Sequence, residues 1–129
     1  MRIFEYVHVT EHNNERFCQL FKALSDETRI RILKILLERE CCVCEVMQAL
    51  DISQSRASRN LGILQDAGFV RSRRDGLWIV YSVEEQRMKS HTASLIELLR
   101  TSLVDDEILS QDRERLSQAV RVGPKAIHR

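Results

Sequence analysis

The sequence predicts a mainly α-helical domain with a small β-hairpin, arranged as a winged helix-turn-helix. Three observations point there. Apolar residues recur at three-and-four spacing along most of the chain. Two of these helical segments are parted only by Asp51-Ile52-Ser53. The second is followed by two β-prone runs that flank Asp75-Gly76.

Bulk properties set the frame. A chain of 129 residues suits one hydrophobic core, and 43% apolar residues suffice to fill it. One Pro and four Gly give no sign of a low-complexity linker, and no internal repeat is found. The expected division is a winged helix-turn-helix domain over residues 1–104, then a C-terminal helical extension and tail over 105–129. No run approaches the roughly 20 apolar residues of a membrane span. Residues 1–10 lack the apolar stretch of a signal peptide. A cytoplasmic protein without a membrane partner is expected, and cytosolic thiols stay reduced.

The elements follow in order. Residues 1–10 form an arm that the pattern leaves open. A first helix covers about residues 11–24, with Phe17, Leu20, Phe21 and Leu24 on one stripe. Ser25-Asp26-Glu27 starts a second, which carries Ile30, Leu33, Leu36 and Leu37. A short third helix over residues 43–50 is preceded by cysteines. Ser53 is a natural N-cap for a fourth helix that runs to Ala67 and stops at Gly68. Residues 69–74 and 77–83 make the hairpin about Asp75-Gly76. A fifth helix starts near Glu84 and bears Met88, His91, Leu95 and Leu98. A last one covers residues 106–120, and the tail after Gly123-Pro124 is expected to fray.

Charge distribution separates two surfaces. From Ser53 to Arg74 five arginines stand against Asp66 alone, whereas from Glu97 to Glu114 six carboxylates stand against two arginines. The first is suited to phosphates and the second is not. The fourth helix would enter the major groove, presenting Gln54, Ser55, Arg56, Ser58 and Arg59 to base edges and phosphates. Ala57, Leu61 and Leu64 hold its other side in the core. Arg73 and Arg74 are expected at the wing tip, beside the DNA backbone.

Three of the four cysteines crowd into Glu40-Cys41-Cys42-Val43-Cys44-Glu45. Incidental core packing is a poor account of three thiols in four residues, so metal or redox chemistry is indicated. Cys41 and Cys44 have the C-x-x-C spacing of a dithiol, which keeps a disulfide- or persulfide-forming redox sensor as an alternative. Redox catalysis would need a βαβ context and a cleft that the sequence lacks, so no enzyme is expected.

Several motifs together resemble the ArsR/SmtB metalloregulatory repressors. They are Leu20-Phe21-Lys22-Ala23-Leu24-Ser25-Asp26-Glu27-Thr28-Arg29, then Cys42-Val43-Cys44-Glu45, then Ser53-Gln54-Ser55 with Ser58 and Leu61, then the wing. The resemblance spans about residues 17–83. It implies a homodimer that sits on operator double-stranded DNA and leaves when a toxic metal or metalloid binds. Cys-Val-Cys followed by an acidic residue resembles the branch responsive to As(III) and Sb(III), and its relatives responsive to Cd(II) or Pb(II). Two departures stand out. Arsenical members carry a further cysteine three residues after the pair, where this chain has Met47. Asn60 replaces a frequent histidine of the recognition helix, which leaves the operator sequence open. The family's second site on the fifth helix has here only His91, read as a dimer-interface or surface residue.

As(III) and Sb(III) take three thiolates in a pyramid, whereas Zn(II) and Cd(II) generally want four ligands. Cys41, Cys42 and Cys44 supply three sulfurs locally. Cys18 is either a small buried apolar residue of the first helix or a further ligand, from the same or the partner subunit. On a regular helix Cys42 and Cys44 point about 200° apart, whereas Cys41 and Cys44 share a face. Using Cys42 would then demand a distorted helix start, which would mis-set Gln54 to Arg59 in the groove. The helix N-terminus is expected to lower the thiol pKa. The fifth helix and residues 17–24 should make the dimer, burying Phe21, Leu95 and Leu98.

Overall fold

A computed structural model of the chain describes residues 3–123, with side chains from Asn14 onward; the frayed tail expected beyond Gly123 lies outside the described residues. Helix α1 (Ile3–Leu24) begins eight residues before the expected start and takes in most of the open arm. Helix α2 (Glu27–Glu38) is capped by Asp26, whose carboxylate accepts the Arg29 N–H at 3.1 Å. Then come strand β1 (Cys41–Cys42), α3 (Val43–Leu50), α4 (Gln54–Ala67), β2 (Arg71–Asp75) and β3 (Trp78–Ser82). A single 3-10 turn (Glu85–Arg87) precedes α5 (Ser90–Thr101), and α6 (Glu107–Gln118) closes the described fold.

Local signals explain most of these boundaries. Ser53 accepts the Arg56 N–H at 3.2 Å, satisfying a free donor of the first turn of α4, a cap that contributes about 1 kcal/mol. Gly68 ends that helix at φ 94°, a left-handed geometry that a side chain would strain. Asp106 caps α6 through the Leu109 N–H at 3.0 Å. Between α3 and α4, Asp51 takes φ 56°, a conformation Asp tolerates better than most residues. The hairpin pairs Asp75 with Trp78, so its loop is Gly76-Leu77, one residue later than the expected Asp75-Gly76. Gly76 supplies the positive φ of 63° that primed two-residue turns need at their first position.

Two elements depart from expectation. The fifth helix starts at Ser90 rather than near Glu84, because Glu84 sits at φ −119°, ψ 86° and Met88 at an extended φ and ψ. The sheet has three strands in the order β1-β3-β2, all antiparallel, where a two-stranded wing was expected. Cys41 pairs with Tyr81 and Cys42 with Val80, so the first two cysteines are strand residues and not the start of a helix.

The core gathers Leu20 and Ala23 of α1, Ile32, Leu33, Ile35 and Leu36 of α2, and Val46, Ala49 and Leu50 of α3. Ala57, Leu61 and Leu64 of α4 close on them, with Phe69, Val70, Ile96 and Leu99. Leu116 belongs to the same cluster, so α6 packs on the core. A buried ion pair sets its register: Asp112, fully buried, accepts Arg31 Nε at 2.8 Å and Nη2 at 2.9 Å, and Arg115 Nη2 at 2.8 Å.

Candidate functional site

The helix-turn-helix is α3 and α4 joined by Asp51-Ile52-Ser53, with β2 and β3 as its wing. On α4, Ser55, Arg56 and Arg59 are exposed and Gln54 and Ser58 half-buried, while Ala57, Leu61 and Leu64 lie in the core. One helical face is thus held rigidly and the other presented. Arg56 also donates from Nη2 to Thr28 Oγ1 at 2.7 Å, which ties the recognition helix to the start of α2. Asn60 is buried at 2% exposure; its carbonyl accepts Arg29 Nη1 at 3.0 Å and its amide donates to Arg56 O at 2.9 Å. Its side chain faces α2 and not the groove, so the histidine replacement bears on packing instead of base reading.

Arg73 and Arg74 lie in the middle of β2, opposite Val80 and Ile79, and the tip is Asp75 to Trp78. Arg74 is exposed. Arg73 forms a two-pronged ion pair with Glu40, at 2.6 and 2.8 Å, which holds the Glu40 carboxyl below the usual carboxylate range. The wing arginine is therefore bound to the residue that precedes the cysteines.

Strand geometry decides what the cysteines do. Successive residues of a strand face opposite sides, and paired residues share one. Cys41, opposite Tyr81, turns into the main core, where its thiol donates to Arg39 O at 3.5 Å. Cys42, opposite Val80, turns to the other face, and the Cys44 thiol is its neighbour there. The sulfurs brought together are Cys42 and Cys44, the reverse of the pairing expected from a helical segment. The physical reason is the strand: Cys42 is the extended N-cap of α3, at φ −83° and ψ 170°, so helical rotation does not apply to it. All four thiols are free; Cys18 is exposed on α1, which excludes its reading as a core residue, and the other three are buried.

Burial also reverses the expected acidity. Desolvation pushes the Cys41 thiol up to about 12, and desolvation with the neighbouring Cys44 thiol pushes Cys42 up to about 12. The dry surroundings outweigh the helix N-terminus. Met47 is half-buried against the core at the position of the missing third cysteine. Among the described residues no group of three His, Cys, Asp or Glu is gathered to hold a metal. The soft donors that the fold places together are the two thiols of Cys42 and Cys44.

Glu45, the acidic residue after Cys-Val-Cys, ties this segment together. Buried at 4% exposure, it accepts the Cys42 N–H at 2.9 Å, Arg39 Nη1 at 2.6 Å and Arg121 Nε at 3.1 Å. Burial opposes its ionisation, but Arg39, the Cys42 N–H and Arg121 outweigh that and hold its pKa below the usual range. Its place three residues after the N-cap is the spacing of a capping box, a signal the sequence carries.

On α1 and α5, Phe17 and Phe21 are 43% and 48% exposed and meet edge to face at 5.1 Å. His91 joins Phe17 at 5.7 Å, and Leu98 stands 60% exposed on the same helix as His91.

The bacterial regulatory protein arsR family matches residues 26–72. The arsenic resistance transcriptional regulator ArsR1 of Pseudomonas putida is 38% identical over 102 residues, covering 77% of this chain and 76% of the relative. The chain belongs to the ArsR family. A homologue of the cadmium resistance regulator CadC from Staphylococcus aureus is 35% identical over 82 residues, covering 63% of this chain and 68% of its own. Among solved structures, the homodimeric winged helix-turn-helix DNA-binding domain of Mb0332 from Mycobacterium bovis aligns with a TM-score of 0.62. It is 26% identical and covers 75% of this chain and 85% of that one. The fold and the family are those of DNA-binding transcriptional regulators and not of enzymes.

Proposed function

We propose that this ArsR-family regulator is a homodimeric repressor that leaves its operator when As(III) or Sb(III) is captured by Cys42 and Cys44. The observation that carries the reading is the pair itself: two buried thiols side by side at the N-terminus of the helix preceding the recognition helix. Similarity to an arsenic resistance regulator over most of both chains supports the choice of ion. Two thiols plus one more sulfur suit a three-coordinate metalloid better than the four-ligand sites of Cd(II).

The third sulfur must move. Cys41 faces the opposite side of its strand, so its recruitment would break the pairing with Tyr81. Cys18 is exposed on α1 and is the other candidate, from the same or the partner subunit. Both routes disturb what holds the DNA-reading parts in place. Cys42 is laddered to Val80, and Val80 to Arg73, so strain at the thiols passes directly to the wing. Glu40, adjoining Cys41, holds Arg73 itself. Through Asp51-Ile52-Ser53 the same strain reaches Gln54 to Arg59. The exposed aromatic and Leu98 surface of α1 and α5 supplies the dimer seam.

A mobility-shift assay with and without arsenite tests this. Cys42→Ser and Cys44→Ser should bind operator and stay bound in arsenite, since a hydroxyl is a poor ligand for a soft ion. If both respond like the parent protein, the metalloid reading is wrong. Thiolate-to-arsenic ultraviolet absorption of Cys41→Ser and Cys18→Ser identifies the third sulfur.

A further inference from the structure

The segment after α6 runs back along α3 and the wing. Val120 exchanges two hydrogen bonds with Gln48: its N–H donates to Gln48 Oε1 at 3.1 Å, and its carbonyl accepts Gln48 Nε2 at 2.7 Å. The same Gln48 amide donates to Cys44 O at 2.9 Å. Arg121 bonds Glu45, the carboxylate that accepts the Cys42 N–H, and reaches Asp75 of the wing at 3.2 Å. Val122 O accepts Trp78 Nε1–H at 2.8 Å, and the Arg121 guanidinium lies over the Trp78 ring at 5.8 Å. Trp78 is two residues from Val80 on β3, so it shares the sheet face of Val80 and Cys42.

We propose that residues 119–122 form a latch over Cys42 and Cys44, fastened by Arg121 and Trp78, and that a thiol-seeking ligand reaches the pair only when the latch lifts. Cys42 and Cys44 are 2% and 3% exposed although they lie outside the main core cluster, and this segment is bonded to the residues around them, Glu45, Gln48 and Trp78. Its fastenings are polar, and Val120 is 61% exposed, so little apolar area opposes opening. Because two of its bonds are to the wing, lifting it also frees Asp75 and Trp78. The latch thereby joins access to the thiols with the position of the hairpin. This consequence rests on the sensing function proposed above, but the test below uses neither metalloid nor DNA, so either can fail alone.

Full-length reduced protein is pulsed with N-ethylmaleimide and each cysteine is followed by peptide mass spectrometry. In the parent, Cys18 should label first and Cys42 and Cys44 much later. Arg121→Ala combined with Trp78→Phe should speed Cys42 and Cys44 by at least about tenfold, the loss of charge-assisted fastening acting on the opening equilibrium. Cys41, which faces the core, should not change. Equal rates in parent and variant, or Cys41 accelerating in step with the pair, would overturn the latch. The parent alone gives a second check. Cys42 labelling should keep pace with amide exchange at Val120; labelling only as fast as exchange in Ile32 to Leu36 would mean that global unfolding exposes the pair, and the proposal fails.

Discussion

Asp112→Ala tests how firmly α6 is built into the domain. Asp112 is fully buried and receives three guanidinium bonds, two from Arg31 and one from Arg115. Removing it strands Arg31, whose side chain is 16% exposed and keeps only Leu50 O at 3.1 Å. Breaking a buried pair costs about 3–5 kcal/mol. Arg115 at 40% and the edge of Arg31 recover some hydration, which places this site at the lower end, about 3 kcal/mol. For a domain of this size that is a fall in Tm of roughly 12 °C. Urea unfolding at one fixed protein concentration measures it, because the proposed dimer would make stability concentration-dependent. An Arg31→Leu, Asp112→Leu double variant should lie closer to the parent than either single change, since the only charge left without its partner is Arg115, which at 40% exposure is hydrated. A loss below about 1 kcal/mol for Asp112→Ala would refute the argument that this pair pins α6.

Three further outcomes are expected. Arg59→Ala should weaken operator binding, and Arg74→Ala should lower the salt slope of binding by about one unit if the wing meets a phosphate; titrations across salt concentrations with unchanged slopes and affinities would misplace the interface. Leu98→Glu should leave a folded monomer without operator affinity, because the residue is already 60% exposed in the single chain and its charge is buried only on pairing; sedimentation of an intact dimer contradicts the seam. Glu45→Gln concerns pH. The Glu45 carboxyl is held below its unfolded value of 4.5, so its contribution is in full force above that pH and fades as pH falls through the folded value. The variant should be less stable at neutral pH and should lose less on acidification, as read by melts across pH; parallel curves for both proteins would count against the Glu45 network.

What the sequence determined by itself was local. Ser53, Gly68 and Asp106 mark helix ends because each acts on backbone groups within one turn. The two β-prone runs about Gly76 make a hairpin for the same reason. The stripe of Phe17 and Phe21 was legible as apolar spacing, and the exposed side of α4 followed from the buried one. The tertiary structure decided the rest. Strand β1 is two residues long, too short for any alternation, and exists only because the free edge of β3 is there to pair with. That pairing, not helical rotation, put Cys42 beside Cys44 and turned Cys41 into the core. Asn60 became a packing residue because Arg29, 31 positions away, occupies its carbonyl. The fastening of residues 120–122 spans separations of 44 to 76 residues. No local propensity encodes such contacts; they need the sheet and α3 to hold Trp78, Gln48 and Glu45 where the returning chain meets them.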